Sequence, residues 1–297
     1  MPGFRGMLSY RLQHWNPGMH IIQDEACQGQ CFGGWSTKLL KTAFFNHRYT
    51  QYNETMKSQT VTRLLDLNKQ FYQTFGYEFS STRLRLQPGV MQILDKLTGG
   101  ESILDLGCGN GELVRELMRR GHRGRYAGVD FSLPLLEVAR QGWEDSPATF
   151  VRADLMAPNW GKRIVASVTQ PFDWVTAFAV LHHIPGNEAR LNILKKVHGL
   201  LREGGLFIHS EWQFLDSEKL KSRIQPWDSV SLTPEEVDAN DYLLDWRSGG
   251  RGLRYVHHFD EAELKALAGE SHFRIRETFR SDGTNGLLGL YQVWQAI

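Results

Sequence analysis

The stretch Ile103-Leu104-Asp105-Leu106-Gly107-Cys108-Gly109-Asn110-Gly111 decides how the rest of the chain is read. Ile103, Leu104 and Leu106 form the apolar end of a buried parallel strand, and Gly107, Gly109 and Gly111 make a turn where backbone must pass close to something bulky. Glu112 to Arg120 follows as a helix, with Leu113, Val114, Leu117 and Met118 on one face and Gly121 as its stop. Strand, glycine turn and helix are the first half of a nucleotide-binding βαβ unit. The next strand, Arg125 to Val129, ends in Asp130, about twenty residues past the turn, where such units set an acid on ribose hydroxyls. A third strand, Thr149 to Arg152, runs into Asp154-Leu155. A fourth, Phe172 to Phe178, runs into Ala179-Val180-Leu181.

These runs carry a resemblance. LDLGCGNG, GVDFS, VRADL, FDWVTAFAVLHHI and LLREGGLFI, in that order, resemble the class I S-adenosylmethionine-dependent methyltransferases. The glycines alternate as G-x-G-x-G, whereas dehydrogenases usually show G-x-G-x-x-G and need room for a pyrophosphate. The resemblance covers Glu101 to the C-terminus. It implies an α/β fold: a doubly wound, seven-stranded, mostly parallel Rossmann-like sheet, its last strand antiparallel, with N-terminal helices and an insertion after the fifth strand. It also implies S-adenosyl-L-methionine as cofactor, held by Asp105, Gly107, Cys108, Gly109, Gly111, Asp130, Phe131, Asp154, Leu155 and Ala179. Asp105 is expected to hold the cofactor's amino group, directly or through water, and Asp154 to accept from the adenine amine. Strand-end acids also cap helices, so both retain that second reading.

The 297 residues, 41% hydrophobic and 23% charged with a formal charge of +1, describe an ordinary globular chain with neither an acidic tail nor a bulk basic surface. Three cysteines make no disulfide framework, which points to a reducing cytoplasm. No apolar run reaches the length of a membrane span, and no membrane association is expected.

Residues 1–55 mix Gly, Gln, His, Trp and Asn without periodicity. Cys27 and Cys31 with His20 or His47 make at most half a metal site, so no metal is expected there. The segment reads as an ill-ordered extension, or as sequence upstream of a natural start at Met56. From Thr60, Val61, Leu64, Leu65, Phe71, Phe75 and Phe79 fall on a helical stripe, and Val90, Ile93, Leu94 and Leu97 on another, so 56–100 reads as a helical lid before the methyltransferase domain, 101–297. Ser132 reads as the cap of the helix after the second strand, and Asp260-Glu261-Ala262-Glu263 as a capping box. Residues 211–259 form an insertion of mixed character, placed where loops on a rigid sheet build a substrate pocket.

In this fold ligands lie outside the carboxyl ends of the strands, so His182 and His183 face the reacting group. A histidine there serves as a base near neutral pH, or only orients the loop by bonding a backbone carbonyl. A closer resemblance spans three stretches: 71–83, the Ala-Val-Leu-His-His loop from Ala179, and Asp241 to Trp246 followed by Arg254-Tyr255-Val256-His257. All three are similar to the enzymes that methylate the carboxymethyl group on the wobble uridine of transfer RNA. That family carries Val-Pro-Trp and Arg-Tyr-Tyr-His where this chain has Leu244-Asp245-Trp246 and Val256.

The resemblance implies substrate roles for Tyr72, Arg83, Trp246, Arg254 and His257: the arginines on the carboxylate, His257 and Trp246 on the base. It also implies transfer RNA and a small activator protein as partners. A carboxylate is already a nucleophile and needs alignment and desolvation more than a base. Against an RNA substrate, the run Arg115, Arg119, Arg120, Arg123, Arg125 reads as a solvated face away from the strand ends. A small carboxylate or hydroxylated metabolite is the alternative acceptor, and a non-catalytic cofactor-binding regulator a third reading.

Overall fold

The computed structural model describes residues 56–82, 84–141 and 148–297, all within one compact unit. The readings of Cys27, Cys31, His20 and His47, and of Arg83, lie outside the described residues. Helices α1 (Ser58–Ser81) and α2 (Pro88–Leu94) lead into β1 (Ile103–Leu106), α3 (Glu112–Arg119), β2 (Tyr126–Asp130), α4 (Leu133–Arg140) and β3 (Ala148–Arg152). Next come α5 (Trp160–Ser167), β4 (Phe172–Phe178), α6 (Asn187–Leu200) and β5 (Leu201–Trp212). After β5 stand α7 (Glu218–Lys221), β6 (Ile224–Gln225), β7 (Asp241–Trp246) and β8 (Gly252–His257), and α8 (Glu261–Glu270), β9 (Phe273–Ser281) and β10 (Gly289–Ala296) close the fold.

The main sheet runs β3-β2-β1-β4-β5-β10-β9. Neighbours from β3 to β5 are parallel, and β10 lies antiparallel to both β5 and β9. This is the seven-stranded, mostly parallel sheet that the motifs imply. Alternation along β1 sends Leu104 and Leu106 into one apolar layer with Trp160, Ile164, Leu194 and Leu264, and Ile103 into the other with Ile93, Val114 and Leu117. Both faces are thus covered, which is why the strands read as apolar runs.

Four elements differ from the sequence reading. First, α1 is a single 24-residue helix that carries the aromatic segment from Phe71 through to Ser81. Gly76 does not break it, because the helix leans on α4 there: a Cβ at Gly76 would sit 3.2 Å from Pro134 Cβ. Second, α5 was not anticipated, although Trp160 and Ile164, both fully buried, have helical spacing. Third, β5 runs on through Glu211 and Trp212, because β10 pairs with it as far as Trp212. Fourth, the following segment contains a small antiparallel sheet, β6-β7-β8.

Two caps also differ. Asp260 accepts from the Glu263 backbone nitrogen at 2.8 Å, but the Glu263 side chain turns to Arg190 and His257 instead of closing a capping box. Ser132 stands at the start of α4 without capping it; its hydroxyl donates to the Tyr72 carbonyl on α1 at 3.2 Å.

Candidate active site

The glycine turn works by two different constraints. Gly107, at φ +67°, has no room for a side chain: a Cβ would meet Val180 Cγ2 at 2.5 Å. Gly109, at φ +54°, faces open space, the nearest atom to its Cβ position being the Gly107 carbonyl at 4.0 Å. One glycine lets the loop after β4 approach, and the other leaves a cradle that a side chain would fill. Cys108, between them, is buried with its sulfur against Gly128, and burial pushes its thiol well above the usual range.

Asp130, at the end of β2, is buried and rigidly held. Its Oδ2 accepts from Gly109 N at 3.0 Å and its Oδ1 from Ser132 N at 2.8 Å. Burial pushes its carboxyl up to about 6, with those backbone donors pulling the other way. Asp105 is not free at its strand end, as a simple clamp on an amino group would be. Its Oδ2 accepts from the Tyr126 hydroxyl at 2.7 Å and its Oδ1 from Thr176 Oγ1 at 2.8 Å. Burial, opposed by these two bonds, raises it to about 7.

Asp154 shows the turn-capping bond of its second reading. Its Oδ1 accepts from Met156 N at 2.9 Å, and its Oδ2 is paired with Lys69 Nζ of α1 at 2.8 Å. Phe131 packs edge-on against Tyr72, Leu155 packs against the core, and Ala179 is exposed at the end of β4 in the left-handed region, φ +58°. A residue without glycine's freedom held in that region marks stored strain at a ligand-facing position.

Helix α1 crosses these strand ends and is tied to each loop in turn. Asn110 Nδ2 donates to Ser80 Oγ at 3.1 Å, and Lys69 reaches Asp154. Asn68 is buried under the stripe, donating to the carbonyls of His183 (3.2 Å) and Tyr255 (3.1 Å) and accepting from Tyr255 N (2.8 Å). A polar residue on a buried apolar stripe was visible in the sequence at Asn68, between Leu64 and Phe71, but was passed over.

A second cluster of the predicted site residues lies where β4, β5 and β8 meet α1. His183 Nδ1 is 3.1 Å from the Tyr255 carbonyl, which only accepts, so Nδ1 carries the proton. Its Nε2, 2.9 Å from the Tyr72 oxygen, therefore accepts from the Tyr72 hydroxyl. Burial, with nearby Arg254, pushes His183 down to about 3. His183 thus takes the loop-orienting role and not that of a base. Arg254 is buried, its guanidinium 4.8 Å from the Trp212 ring, 5.4 Å from Phe71 and 5.7 Å from Trp246.

Trp246 is therefore a wall of the arginine's cage, braced by Phe71 and Phe79. Trp212, which sequence reading left in the insertion, supplies the nearest face. His257, expected to position the base, is held inside the fold. It is buried with Nδ1 2.7 Å from Asp241 and Nε2 2.9 Å from Glu263, both ring nitrogens taken by carboxylates. Arg190 joins the same cluster through Glu263 (3.1 Å) and the Tyr255 hydroxyl (3.0 Å), locking the insertion to α6 and α8.

Four arginines of the run on and after α3 have partners within the fold. Arg115 pairs with Glu112, Arg119 and Arg120 with Glu116, and Arg125 donates to the Thr169 carbonyl. Among the described residues no helix is long and apolar enough to cross a membrane, and no group of three or more metal-ligating side chains is present.

A doubly wound sheet with an acid and a glycine cradle at its switch point defines a nucleoside-binding α/β enzyme. The model of a methyltransferase domain matches residues 69–278, and the chain belongs to that family. A methyltransferase of Encephalitozoon cuniculi is 30% identical over 208 residues, 69% of this chain and 86% of that protein. The tRNA (carboxymethyluridine(34)-5-O)-methyltransferase of Macaca fascicularis is 30% identical over 146 residues, 48% of this chain but only 19% of that protein. Among solved structures, a SAM-dependent methyltransferase from Methanosarcina mazei superposes with a TM-score of 0.53 at 22% identity, over 72% of this chain and 99% of that one.

The protein is an S-adenosylmethionine-dependent methyltransferase, and the residues at the switch point suit that cofactor. Asp130 would offer its fixed carboxyl to ribose hydroxyls, and Gly109 leaves space above the turn.

Proposed function

We propose that this enzyme methylates an anionic oxygen, with the carboxymethyl group of a modified wobble uridine in transfer RNA as the leading acceptor. The observation that carries the reading is Arg254, a permanently charged fork buried among Trp212, Phe71 and Trp246 beside the loop that faces the reacting group. A desolvated guanidinium in an aromatic box recognises a planar anion by charge-assisted, bidentate hydrogen bonds, and the aromatic walls suit a flat base. Bound at the glycine turn, S-adenosylmethionine supplies an activated methyl group on a sulfonium. The chain's own part is alignment and dryness. Tyr72, committed to His183, closes α1 over the site, and Arg254 holds the acceptor's charge out of water. Neither His183, held neutral, nor His257, held by two carboxylates, is poised to remove a proton. A carboxylate acceptor requires no such step.

A small carboxylate metabolite is the second reading, and charge favours it. Residues 211–259 hold nine Asp and Glu against six Lys and Arg, a poor surface for a polyanion. The arginines of α3 are also tied up in ion pairs. The deciding experiment offers labelled S-adenosylmethionine with bulk transfer RNA from a strain lacking the gene, beside a small-molecule extract. Label in RNA that mild base removes supports a methyl ester on the wobble uridine. Label confined to the small-molecule fraction replaces that acceptor with a metabolite. Base-stable label in either fraction removes the carboxylate from the reading altogether.

A further inference from the structure

Beneath the loop after β4 lies a buried cluster that methyl transfer to a carboxylate does not require. Glu211, on β5, is enclosed with His182 and His209. Its Oε2 lies 2.9 Å from His182 Nδ1 and 3.2 Å from the His182 backbone nitrogen, and its Oε1 lies 2.9 Å from His209 Nδ1. The Trp212 backbone N–H is aimed at the same His182 Nδ1, at 3.3 Å.

Donors and acceptors in this cluster can be counted. Along β5 the next amide, Gln213 N, donates across to the Leu288 carbonyl beside β10. Successive amides of a strand face opposite sides, so Trp212 N turns the other way, past the end of β4 at Phe178, and meets His182. A buried backbone N–H takes an acceptor almost without exception. If Glu211 were ionised it would only accept, His182 Nδ1 would have to carry a proton toward it, and that proton would face the Trp212 N–H. A carboxylic acid removes the conflict. Its Oε2–H and the Trp212 N–H then share the Nδ1 lone pair, while its two oxygens still accept from His182 N and His209 Nδ1–H. His209 fits the same count, since its Nε2 is buried without a partner among the described residues. A bare acceptor there is tolerated better than a stranded N–H.

We infer that Glu211 is a neutral carboxylic acid that donates to His182 Nδ1 and thereby locks His182 with its proton on Nε2, as a hydrogen-bond donor and not a base. Burial acts in the same sense, pushing Glu211 well above the usual carboxylate range and His182 well below the usual imidazole range. An ionised Glu211 would instead be a buried charge beside two neutral rings, which burial disfavours strongly. Glu211 is a positioning residue acting through His182.

The test combines a tautomer readout with one conservative and one apolar variant. The amide introduced by Glu211→Gln keeps the acid's donor toward His182 Nδ1 and its acceptor toward His209, and gives up only the bond from the His182 backbone nitrogen. Selective 15N labelling should show an unprotonated Nδ1 at His182 in the wild type and in Glu211→Gln alike. Glu211→Leu should lose at least about tenfold in methyl transfer, and Glu211→Gln, which keeps two of the three bonds, should lose clearly less. A protonated Nδ1 in the wild type, or a Glu211→Gln enzyme as impaired as Glu211→Leu, overturns the inference. The nitrogen signal needs no acceptor, so it decides the matter even if Glu211→Leu fails to fold or no anionic acceptor is found.

Discussion

The Tyr72 oxygen lies 2.9 Å from Nε2 of His183, a bond between residues 111 apart in the chain that fastens α1 to the loop after β4. Because the His183 Nδ1 proton is committed to the Tyr255 carbonyl, Tyr72 is the donor, and its oxygen retains lone pairs for accepting only. Tyr72→Phe strips a buried acceptor of its donor and should cost about 1–3 kcal/mol of stability. Denaturant titration measures that cost. Cofactor affinity, by calorimetry, should stay within about threefold while kcat/KM for the acceptor falls about tenfold or more. Equal losses in both would place Tyr72 in the cofactor site instead.

The acid limb of the stability curve should carry a signature of His183. Its folded pKa, about 3, lies below the ordinary unfolded value of 6.5. Between those two values the unfolded chain binds a proton that the folded protein refuses. Stability from this group is therefore complete above about pH 6.5 and is lost as pH falls toward 3, at up to about 1.4 kcal/mol per unit. Replacing the ring by a group that cannot ionise, as in His183→Gln, should make the limb shallower by close to one proton. An unchanged slope would mean that His183 ionises alike in both states.

The two glycines should fail differently. Gly107→Ala drives a methyl into Val180 and should destabilise the fold by more than the roughly 1–2 kcal/mol of left-handed strain alone. Gly109→Ala carries the strain without the collision, so it should fold yet lose cofactor binding, because its methyl enters the cradle. Melting curves and calorimetry on both separate the two effects. A Gly109→Ala protein that binds cofactor normally would show that the cradle is not occupied.

Arg254→Lys keeps the charge but loses the planar stacking on Trp212, Phe71 and Trp246. A desolvated cation over aromatic faces is worth about 2 kcal/mol. That loss falls on stability. The acceptor KM should rise about tenfold or more because the bidentate fork is lost, a bond to a charged group being worth about 1.5–3 kcal/mol, with cofactor affinity unchanged. An unaltered KM would reduce Arg254 to a packing role.

Arg190→Met should be the most disruptive of these changes to the fold. It leaves Asp241 and Glu263 buried or half-buried around His257 without their guanidinium partner. Removing one member of such a cluster costs about 3–5 kcal/mol. A loss below about 1 kcal/mol, as expected of a surface pair, would mean that the insertion is anchored by apolar packing alone.

The glycine turn and the acid after β2 were legible in the chain because they are local. The alternation of Gly107, Gly109 and Gly111 after an apolar strand, and Asp130 at the end of the next, each follow from a few neighbouring residues and the period of a strand. The doubly wound, mostly parallel sheet followed from the family resemblance that those motifs carry, and its strand order came from the structure. The remaining contacts are different in kind. Nothing near Asp105 announces that Tyr126 and Thr176 engage it, and nothing near Asp154 announces Lys69. The Arg254 cage draws Phe71 from α1, Trp212 from the end of β5 and Trp246 from β7. Those partners meet only because one long helix settles across the strand ends in a single register. That register is set by packing and by Asn68, Tyr72 and Ser80 bonding loops far away in the chain. Local pattern determined which residues turn, pleat and coil; the docking of α1 and the insertion decided which side chains meet over the site.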